Sequence, residues 1–244
     1  PRYDQGLFVL ALDRAGSYVW SQQFSSAHPE SVTDIAVDAE GSVVIAGTAT
    51  HSLYFEEGHV SLDDVETFLL RFDPGGEVRW GRGYAGGVIQ SVAMTPSGDI
   101  LVSGPCSSFE TMDLGGGTLG DVDDASTFMG KLDAEGAHLW SNDHLFREAR
   151  LAAAADGATV AVAQVIGPWG LSPGLDVPSG ASGIVVARFD DAGTVSTARF
   201  ILAPAASAGF VAVDPADDAT VIGGTFQGSI DFGGGPLQSP AEDS

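Results

Sequence analysis

Short runs of alternating apolar and polar residues fill the chain, and turns rich in glycine separate them. In one run Phe68, Leu70 and Phe72 fall on one side. Leu69 and Arg71 fall on the other, which is the period of two of a β-strand rather than the 3.6 of a helix. No segment of ten or more residues combines a helical apolar stripe with capping residues. The pattern predicts an all-β chain.

Two hairpin patterns alternate along the sequence with one common period. The first contains an Asp-x-x-Gly turn, and its aspartates recur at intervals of 60, 60 and 57 residues: Asp13, Asp73, Asp133 and Asp190. In the second hairpin pattern, the turn residues recur at intervals of 57, 59 and 60 residues: Gly41, Gly98, Gly157 and Asp217. Together they define repeat units of about sixty residues, approximately 1–64, 65–124, 125–181 and 182–244.

Each unit contains two tight hairpins and therefore four antiparallel strands. In the first hairpin the aspartate can cap the turn, and a glycine supplies a positive φ at Gly16, Gly76, Gly136 and Gly193. Solenoid coils use parallel ladders and repeats of about 20–45 residues, so the pattern favours a β-propeller. The prediction is one domain over 1–244, built from four tandem four-stranded blades. The units either close as a four-bladed ring or belong to a larger ring or array.

Two known repeats resemble these motifs. The run Phe-x-x-(Lys/Arg)-(Leu/Phe)-Asp-x-x-Gly-x-x-x-Trp, with the Gly-Gly-Gly-Pro-Leu segment at 233–237, resembles the bacterial β-propeller repeat of secreted and cell-surface proteins in myxobacteria-like genomes. The segment Ala11–Trp20 is similar to the tryptophan-docking repeat of pyrroloquinoline-quinone dehydrogenases, except for one residue in the turn. Both resemblances imply a propeller. The shared positions are turn and core residues, so neither implies an activity.

The composition excludes several classes of function. The chain has 33 acidic and 10 basic residues and a net charge of −23, which argues against nucleic-acid binding and against anionic membrane surfaces. No apolar run reaches the roughly 18 residues of a membrane span. Cys106 is the sole cysteine, which excludes an intrachain disulfide and a cysteine-based metal site. An acidic, lysine-poor, glycine-rich surface favours a location outside the cytoplasm, in the periplasm or at the cell surface.

Two further sets of residues follow the repeat. The tryptophans at one register are expected to wedge between adjacent blades: Trp20, Trp80 and Trp140. Three basic residues share another register, with aspartates at the same period: Arg71, Lys131 and Arg188, with Asp4, Asp64 and Asp124. We interpret the basic residues as forming ion pairs that link blades; the alternative is a ligand-binding ring around a central channel.

Acidic clusters at 63–64 and 121–124 raise the alternative of a calcium site, but neither has a complete calcium-binding loop. We interpret them as solvated loops, so no cofactor is expected, although weak calcium binding stays an alternative. The histidines share no ligand spacing, and no nucleophile elbow or phosphate-binding loop is present.

The largest departure from the repeat is the segment 165–180, which replaces the glycine-rich loop of other units. It carries Trp169, the one tryptophan outside the repeated register, with Asp176 close in sequence. Loops that break a repeat are free to carry specificity, so we predict that Trp169 and Asp176 bind a partner. The alternative is that Trp169 fills the gap left by Thr197, which stands where a tryptophan is expected.

The sequence therefore predicts a non-enzymatic binding or scaffolding propeller that acts on a protein or glycan partner. The alternative is an enzyme that uses an axial pocket, such as a quinone-dependent dehydrogenase or a polysaccharide-cleaving propeller. Such an enzyme needs polar side chains that converge from several blades, and fold analogy alone does not decide between the two.

Overall fold

All regular structure in the described part of the chain is β-strand. The computed structural model describes residues 6–25, 30–49, 52–55, 58–62, 67–106, 111–120, 127–143, 146–167, 169–172 and 175–239, and for 147, 169–172, 175 and 176 the backbone alone. Over these residues it has 24 strands. The all-β prediction is thus confirmed for them, and no helix long and apolar enough to cross a membrane occurs among them.

The strands, in chain order, are β1 (Gly6–Leu12), β2 (Tyr18–Ser25), β3 (Ser31–Val37), β4 (Val43–Thr48), β5 (Leu53–Phe55), β6 (Gly58–Val60), β7 (Thr67–Phe72), β8 (Val78–Tyr84), β9 (Ser91–Met94), β10 (Ile100–Pro105), β11 (Met112–Asp113), β12 (Thr118–Leu119), β13 (Thr127–Leu132), β14 (His138–Asp143), β15 (Arg147–Ala153), β16 (Thr159–Ile166), β17 (Trp169–Ser172), β18 (Leu175–Val177), β19 (Ser182–Phe189), β20 (Val195–Leu202), β21 (Ala206–Val213), β22 (Thr220–Phe226), β23 (Ser229–Asp231) and β24 (Pro236–Gln238).

Three four-stranded antiparallel sheets, here termed blades, form the centre of the array. Blade 1 has the order β3-β4-β7-β8, blade 2 has β9-β10-β13-β14 and blade 3 has β15-β16-β19-β20. Each blade thus joins an inner hairpin to an outer hairpin. The inner strands lie side by side, with β3 against β9, β9 against β15 and β15 against β21.

The blades cross the boundaries of the repeat units read from the sequence. The unit 1–64 contains β1 to β6, but β1 and β2 lie in a different sheet from β3 and β4. The hairpin β1–β2 corresponds to the outer half of a blade, and the hairpin β21–β22 to the inner half. The expectation that each unit is one complete blade is therefore corrected. A blade pairs the second hairpin of one unit with the first hairpin of the next, a long-range choice that the local pattern does not encode.

A short additional hairpin follows each inner hairpin along the chain. These are β5–β6, β11–β12, β17–β18 and β23–β24. The first of them extends the preceding sheet, because Ser25 of β2 pairs with Tyr54 of β5. The expected count of four strands per unit omitted these hairpins. The segment 165–180, expected to be a loop, likewise contains the hairpin β17–β18.

The hydrophobic core lies between successive sheets. One cluster joins β1–β2 to blade 1, a second joins blades 1 and 2, a third joins blades 2 and 3, and a fourth joins blade 3 to β21–β22. Phe68, Phe128 and Phe189 are completely buried in the first three of these junctions. Each sheet is therefore stabilised mainly by the apolar side chains of its neighbours.

The repeated tryptophans fill these junctions, as predicted. Trp20 donates its indole N–H to the Pro74 carbonyl of blade 1 at 3.0 Å, and Trp80 donates to the Ala134 carbonyl of blade 2 at 3.0 Å. Trp140 stacks on Phe189 of blade 3 with 6.3 Å between ring centroids. Gly76 has a φ of +87° and lies under the Trp20 ring, which a Cβ at that position would overlap. Glycine is thus needed at position 76 for two reasons: the backbone has a positive φ, and the Trp20 ring of the adjacent sheet leaves no room for a Cβ.

The second and third strands of each blade match in side-chain volume at one register. Gly47 pairs with Phe68 in blade 1, and Gly104 pairs with Phe128 in blade 2. A Cβ on Gly47 would overlap the Phe68 ring. In blade 3 the same register pairs Ala163 with the smaller Val185. Gly47 therefore leaves room for the Phe68 ring, whereas a Cβ on Gly104 would overlap the Val88 carbonyl oxygen instead.

Replacing Trp20 with alanine is expected to lower the free energy of unfolding by about 3–5 kcal/mol, because the ring is buried between sheets. Trp80→Ala should cost less, about 2 kcal/mol, since Trp80 is only half-buried. Chemical denaturation measures both. Leu139→Ala, at a side chain 49% exposed on β14, is the control and should be close to neutral. A Trp20→Ala melt equal to this control would contradict the assignment as an inter-blade wedge.

Candidate functional site

The inner strands are irregular at one shared register. Three of them carry a shift in strand pairing, between Val32 and Asp34 in β3, between Arg147 and Arg150 in β15, and between Ala208 and Phe210 in β21. In β9, regular pairing begins at the same register. A bulge changes the direction of the side chain that follows it. The residues placed at this end of the four inner strands are Asp34, Ser91, Arg150 and Phe210.

The side chains of Asp34 and Ser91 accept hydrogen bonds from the neighbouring inner strand. Asp34 accepts a hydrogen bond from the Val92 backbone N–H at 2.8 Å, and Ser91 Oγ accepts one from the Leu151 N–H at 3.2 Å. The second carboxylate oxygen of Asp34 accepts from the N–H of Ile35 at 2.9 Å. An acceptor at this register therefore links neighbouring inner strands, and Asp34 acts here as a structural group.

Arg150 and Phe210 depart from that arrangement. Arginine has no acceptor, and the Arg150 guanidinium instead donates back to the Gln90 carbonyl at 2.9 Å. Phe210 is 78% exposed. Both lie on a groove of about 450 Å³ whose lining comes from β3, from the residue before β9, from β15 and from β21: Thr33, Asp34, Gln90, Arg150, Gly209 and Phe210. We term this the inner-strand groove.

The inner-strand groove combines the Arg150 guanidinium, the Asp34 carboxylate, the Gln90 amide and the exposed Phe210 ring. Arginine and aromatic side chains are the residues that most often anchor protein partners. Sequence reasoning missed this site. The signal was available, because the four residues directly before the repeated apolar position (Ile35, Val92, Leu151 and Val211) are all of different chemical types.

The three basic residues of one register lie between blades and bond to turn residues. Arg71 pairs with Asp38 at 3.6 Å and donates to the Ala134 carbonyl of the next blade at 2.9 Å. Arg188 pairs with Asp156 at 2.7 Å and with Asp218 of the next sheet at 3.4 Å. This supports ion pairs that link blades over a ligand-binding ring. The partners are acids of the hairpin turns, whereas the expected Asp4, Asp64 and Asp124 lie outside the described residues.

Lys131, the sole lysine of the chain, is the most buried of these cations at 3% exposure. Its ammonium lies 3.1 Å from Asp99 of its own blade and 3.0 Å from Asp191 of the next. Burial by itself would lower the pKa of Lys131, but the hydrogen bonds from its ammonium to Asp191 and Asp99 outweigh burial and raise the pKa. The residue is therefore a charged structural link between blades 2 and 3.

The two predicted binding residues lie on one small hairpin. Trp169 is in β17 and Asp176 in β18, and the strands pair Trp169 with Val177 and Gly170 with Asp176. The backbone thus brings the two positions within one residue of each other across the hairpin. Their role in binding stays a prediction.

Among the residues that the structure describes, no group of three or more His, Cys, Asp or Glu side chains could hold a metal ion. The acidic clusters at 63–64 and 121–124, which raised the calcium alternative, lie outside the described residues.

Comparison with known proteins gives one distant similarity and no family. No protein-family model matches the chain. An uncharacterised WD repeat-containing protein of Acanthamoeba polyphaga mimivirus is 25% identical over an alignment of 117 residues, and this alignment covers 40% of this chain and 8% of that protein. The chain therefore spans only a small part of this relative. The similarity agrees with a repeat architecture of blade-like sheets.

Replacing Lys131 with methionine is expected to lower the free energy of unfolding by about 1–3 kcal/mol, because it leaves the partly buried Asp99 without its cation. A raised folded-state pKa means that the ion pairs stabilise the fold fully below pH 10 or so and are lost as pH rises through the alkaline range. The difference between wild type and Lys131→Met, measured by denaturation from pH 7 to 11, should therefore shrink above about pH 10.5.

Arg79→Met is the matched control, since Arg79 pairs with Asp73 at 3.5 Å while its side chain is exposed. It should change stability by less than about 0.5 kcal/mol. Equal effects of the two variants would contradict the structural role of Lys131.

Trp169→Ala tests the binding prediction for the hairpin β17–β18. If Trp169 belongs to a partner site, the variant should melt within about 1 kcal/mol of wild type while losing partner binding. Binding is measured on a glycan array and against a displayed peptide library. A loss of stability as large as that of Trp20→Ala would show that Trp169 is a core residue and refute the site.

Proposed function

We propose that the chain is a non-enzymatic, propeller-type scaffold that binds a protein partner in the inner-strand groove. The main support for this proposal is that one register of the four inner strands carries a different type of side chain in each strand. The register uses acceptors to link strands at Asp34 and Ser91, and then presents Arg150 and the exposed Phe210.

A protein partner fits the groove better than a glycan does. Arg150 can form a charge-assisted pair with a carboxylate, while Phe210 offers an apolar face for a neighbouring side chain. Asp34 already accepts two backbone N–H groups, so it has less capacity to bind sugar hydroxyls. A peptide segment with an acidic residue beside an apolar one matches this set of groups.

The proposal extends to location and to architecture. A net charge of −23 with a single lysine favours a location in the periplasm, at the cell surface or outside the cell. The similarity to a WD repeat-containing protein and the face-to-face blades support a propeller. Repeat arrays present broad surfaces, which suits a scaffold.

The proposal is tested by selecting peptides from a displayed random library on the wild-type chain and measuring their affinity for groove variants. Selected peptides should be enriched in acidic and apolar residues and should bind Arg150→Ala and Phe210→Ala at least about tenfold more weakly, as expected for anchors worth over 1 kcal/mol. The affinity difference between wild type and Arg150→Ala should shrink as salt is added, because salt screens the charge pair that Arg150 contributes.

Leu139→Ala removes an exposed apolar side chain of β14, away from the groove, and should bind like wild type. Peptides that bind all variants equally would refute the groove as the site. Saturable binding on a glycan array that disappears in Arg150→Ala, with no peptide selected, would overturn the choice of a protein partner.

A further inference from the structure

Trp80 packs differently from the other tryptophans of its register. The other two are buried, and each stacks on a phenylalanine of the next sheet. These pairs are Trp20 with Phe72 and Trp140 with Phe189. At the corresponding position opposite Trp80, blade 2 has Leu132, which offers no ring for stacking. Trp80 is only half-buried, so part of its indole stays accessible between blades 1 and 2.

The orientation of the Trp80 ring differs as well. At the other two tryptophans, a Cβ added to the turn glycine of the next sheet would overlap Cγ and Cδ2 of the indole. At Gly136, the corresponding turn glycine, such a Cβ would lie 3.2 Å from Cη2 of Trp80. The Arg82 guanidinium lies over the Trp80 ring, 5.6 Å from its centroid, and donates to the Gly136 carbonyl. The Trp80 ring therefore meets the turn glycine with its outer edge.

Two arginines beside Trp80 are departures from the repeat. In β2 and β14, the position before the tryptophan is apolar and the position two residues after it is an uncharged amide. These residues are Val19 and Leu139, and Gln22 and Asn142. In β8, both positions are arginine, Arg79 and Arg82. Features common to every unit hold a repeat array together, so two departures around one tryptophan indicate a role specific to this unit.

A groove opens beside Trp80 at the end of the junction where the hairpin turns lie. Its volume is about 440 Å³, within the range of about 300–1,000 Å³ for small-molecule pockets. Besides Trp80, its polar lining residues are Ser42, Arg71, Asp73, Arg79 and Glu135. We term this the Trp80 groove. It shares no lining residue with the inner-strand groove, so the two are separate surfaces.

Arg79 is the cation of the Trp80 groove with hydrogen-bond donors to spare. Arg71 already donates to the Ala134 carbonyl at 2.9 Å and pairs with Asp38, so it has a structural role. Arg79 is 61% exposed, and its partner among the residues that the structure describes is Asp73, which its Nε approaches at 3.5 Å. The terminal nitrogens of the Arg79 guanidinium can therefore donate to a ligand.

Carboxylates supply acceptors from both blades. One oxygen of Asp73 accepts two N–H groups of its own turn, and the other lies beside Arg79. Glu135 is exposed on the turn of blade 2 and lines the groove from that side. The lining thus holds two arginines and two acids, so its charges balance. Such a surface suits an uncharged ligand that needs both donors and acceptors.

We propose that the Trp80 groove binds a neutral sugar unit of a glycan. The C–H groups on one face of the sugar ring pack on the indole, while its hydroxyls accept from Arg79 and donate to Glu135. A hydroxyl is both donor and acceptor, so guanidinium and carboxylate groups satisfy it together. An anionic ligand fits less well, because it would approach Asp73 and Glu135 in a chain of charge −23. This site adds to the protein-binding groove proposed above.

A glycan array followed by titration tests the site. Wild type is screened on arrayed neutral and acidic glycans, and the glycans that bind are titrated against variants whose folding is checked by denaturation. Arg79→Met and Trp80→Leu should bind a neutral glycan at least about tenfold more weakly. Arg79 is exposed, so its loss should leave the fold intact. Arg14→Met, which removes an exposed arginine from the β1–β2 turn, is the matched control and should bind like wild type.

Salt dependence and other variants exclude the alternatives. Because the sugar is uncharged, its affinity should change less than about twofold between low and physiological salt, and a larger loss would contradict the proposal. Equal binding by wild type and Arg79→Met, binding of acidic glycans alone, or no binding of any neutral glycan would overturn it. Loss of a neutral glycan in Trp169→Ala but not in Arg79→Met would refute this site. The inner-strand groove is tested by Arg150→Ala and Phe210→Ala, so failure of either proposal is recognised separately.

Discussion

A single aspartate carboxylate that accepts two backbone N–H groups fixes most of the hairpins, and the rest of the array depends on this interaction. The donors are the residues two and four positions later, at 2.7–3.1 Å, for Asp13, Asp38, Asp73, Asp113, Asp133, Asp190 and Asp231. A fixed turn sets the register of its hairpin, and a slip of one residue would turn every side chain to the opposite face. Buried rings such as Phe68 would then point away from the neighbouring blade.

This interaction also explains much of the acidic composition. The N–H groups of Ser17 and Ala15 lower the pKa of Asp13, and the N–H of Ala158 and the guanidinium of Arg188 lower the pKa of Asp156. A lowered pKa means that these carboxylates stabilise the turns at neutral pH and lose that effect as pH falls through their folded-state pKa. Several of the 33 acidic residues thus have structural roles in the turns.

Local features of this fold could be predicted from sequence, and long-range ones could not. Turn chemistry and the period of two sufficed for the strands, for the positive φ of Gly16 and Gly193, and for the inter-blade tryptophans. The turn at Asp217 shows the limit of that reasoning, because the positive φ falls one residue later, at Asp218. Which hairpins share a sheet depends on pairing between separate hairpins, such as Val43 with Phe72. The contacts between sheets join residues some sixty positions apart, such as Arg150 with Gln90.

In the candidate site, too, local features could be predicted from the sequence and features that depend on long-range contacts could not. Three of the four inner strands beside the inner-strand groove contain a shift in pairing, and a bulge leaves almost no trace in an alternating pattern. The acids that pair with Lys131 were missed for a similar reason, since Asp99 and Asp191 belong to turns of two different blades. By contrast, the position of Trp169 was notable in sequence because it breaks the repeat, and that signal requires no knowledge of pairing.

The junctions between sheets are not equivalent, and their differences indicate where the array has contact area still to gain. Tryptophan fills the first three junctions, but Thr197 takes the same register in the fourth. There the apolar cluster relies on small side chains such as Ala206 and Ala208, and Arg188 is more exposed than Lys131. On the hairpin β21–β22, Phe210 and Val221 are exposed. Because stability in a repeat array comes from nearest-neighbour interfaces, an apolar side chain larger than Thr197 at this register would add buried contact between blade 3 and β21–β22.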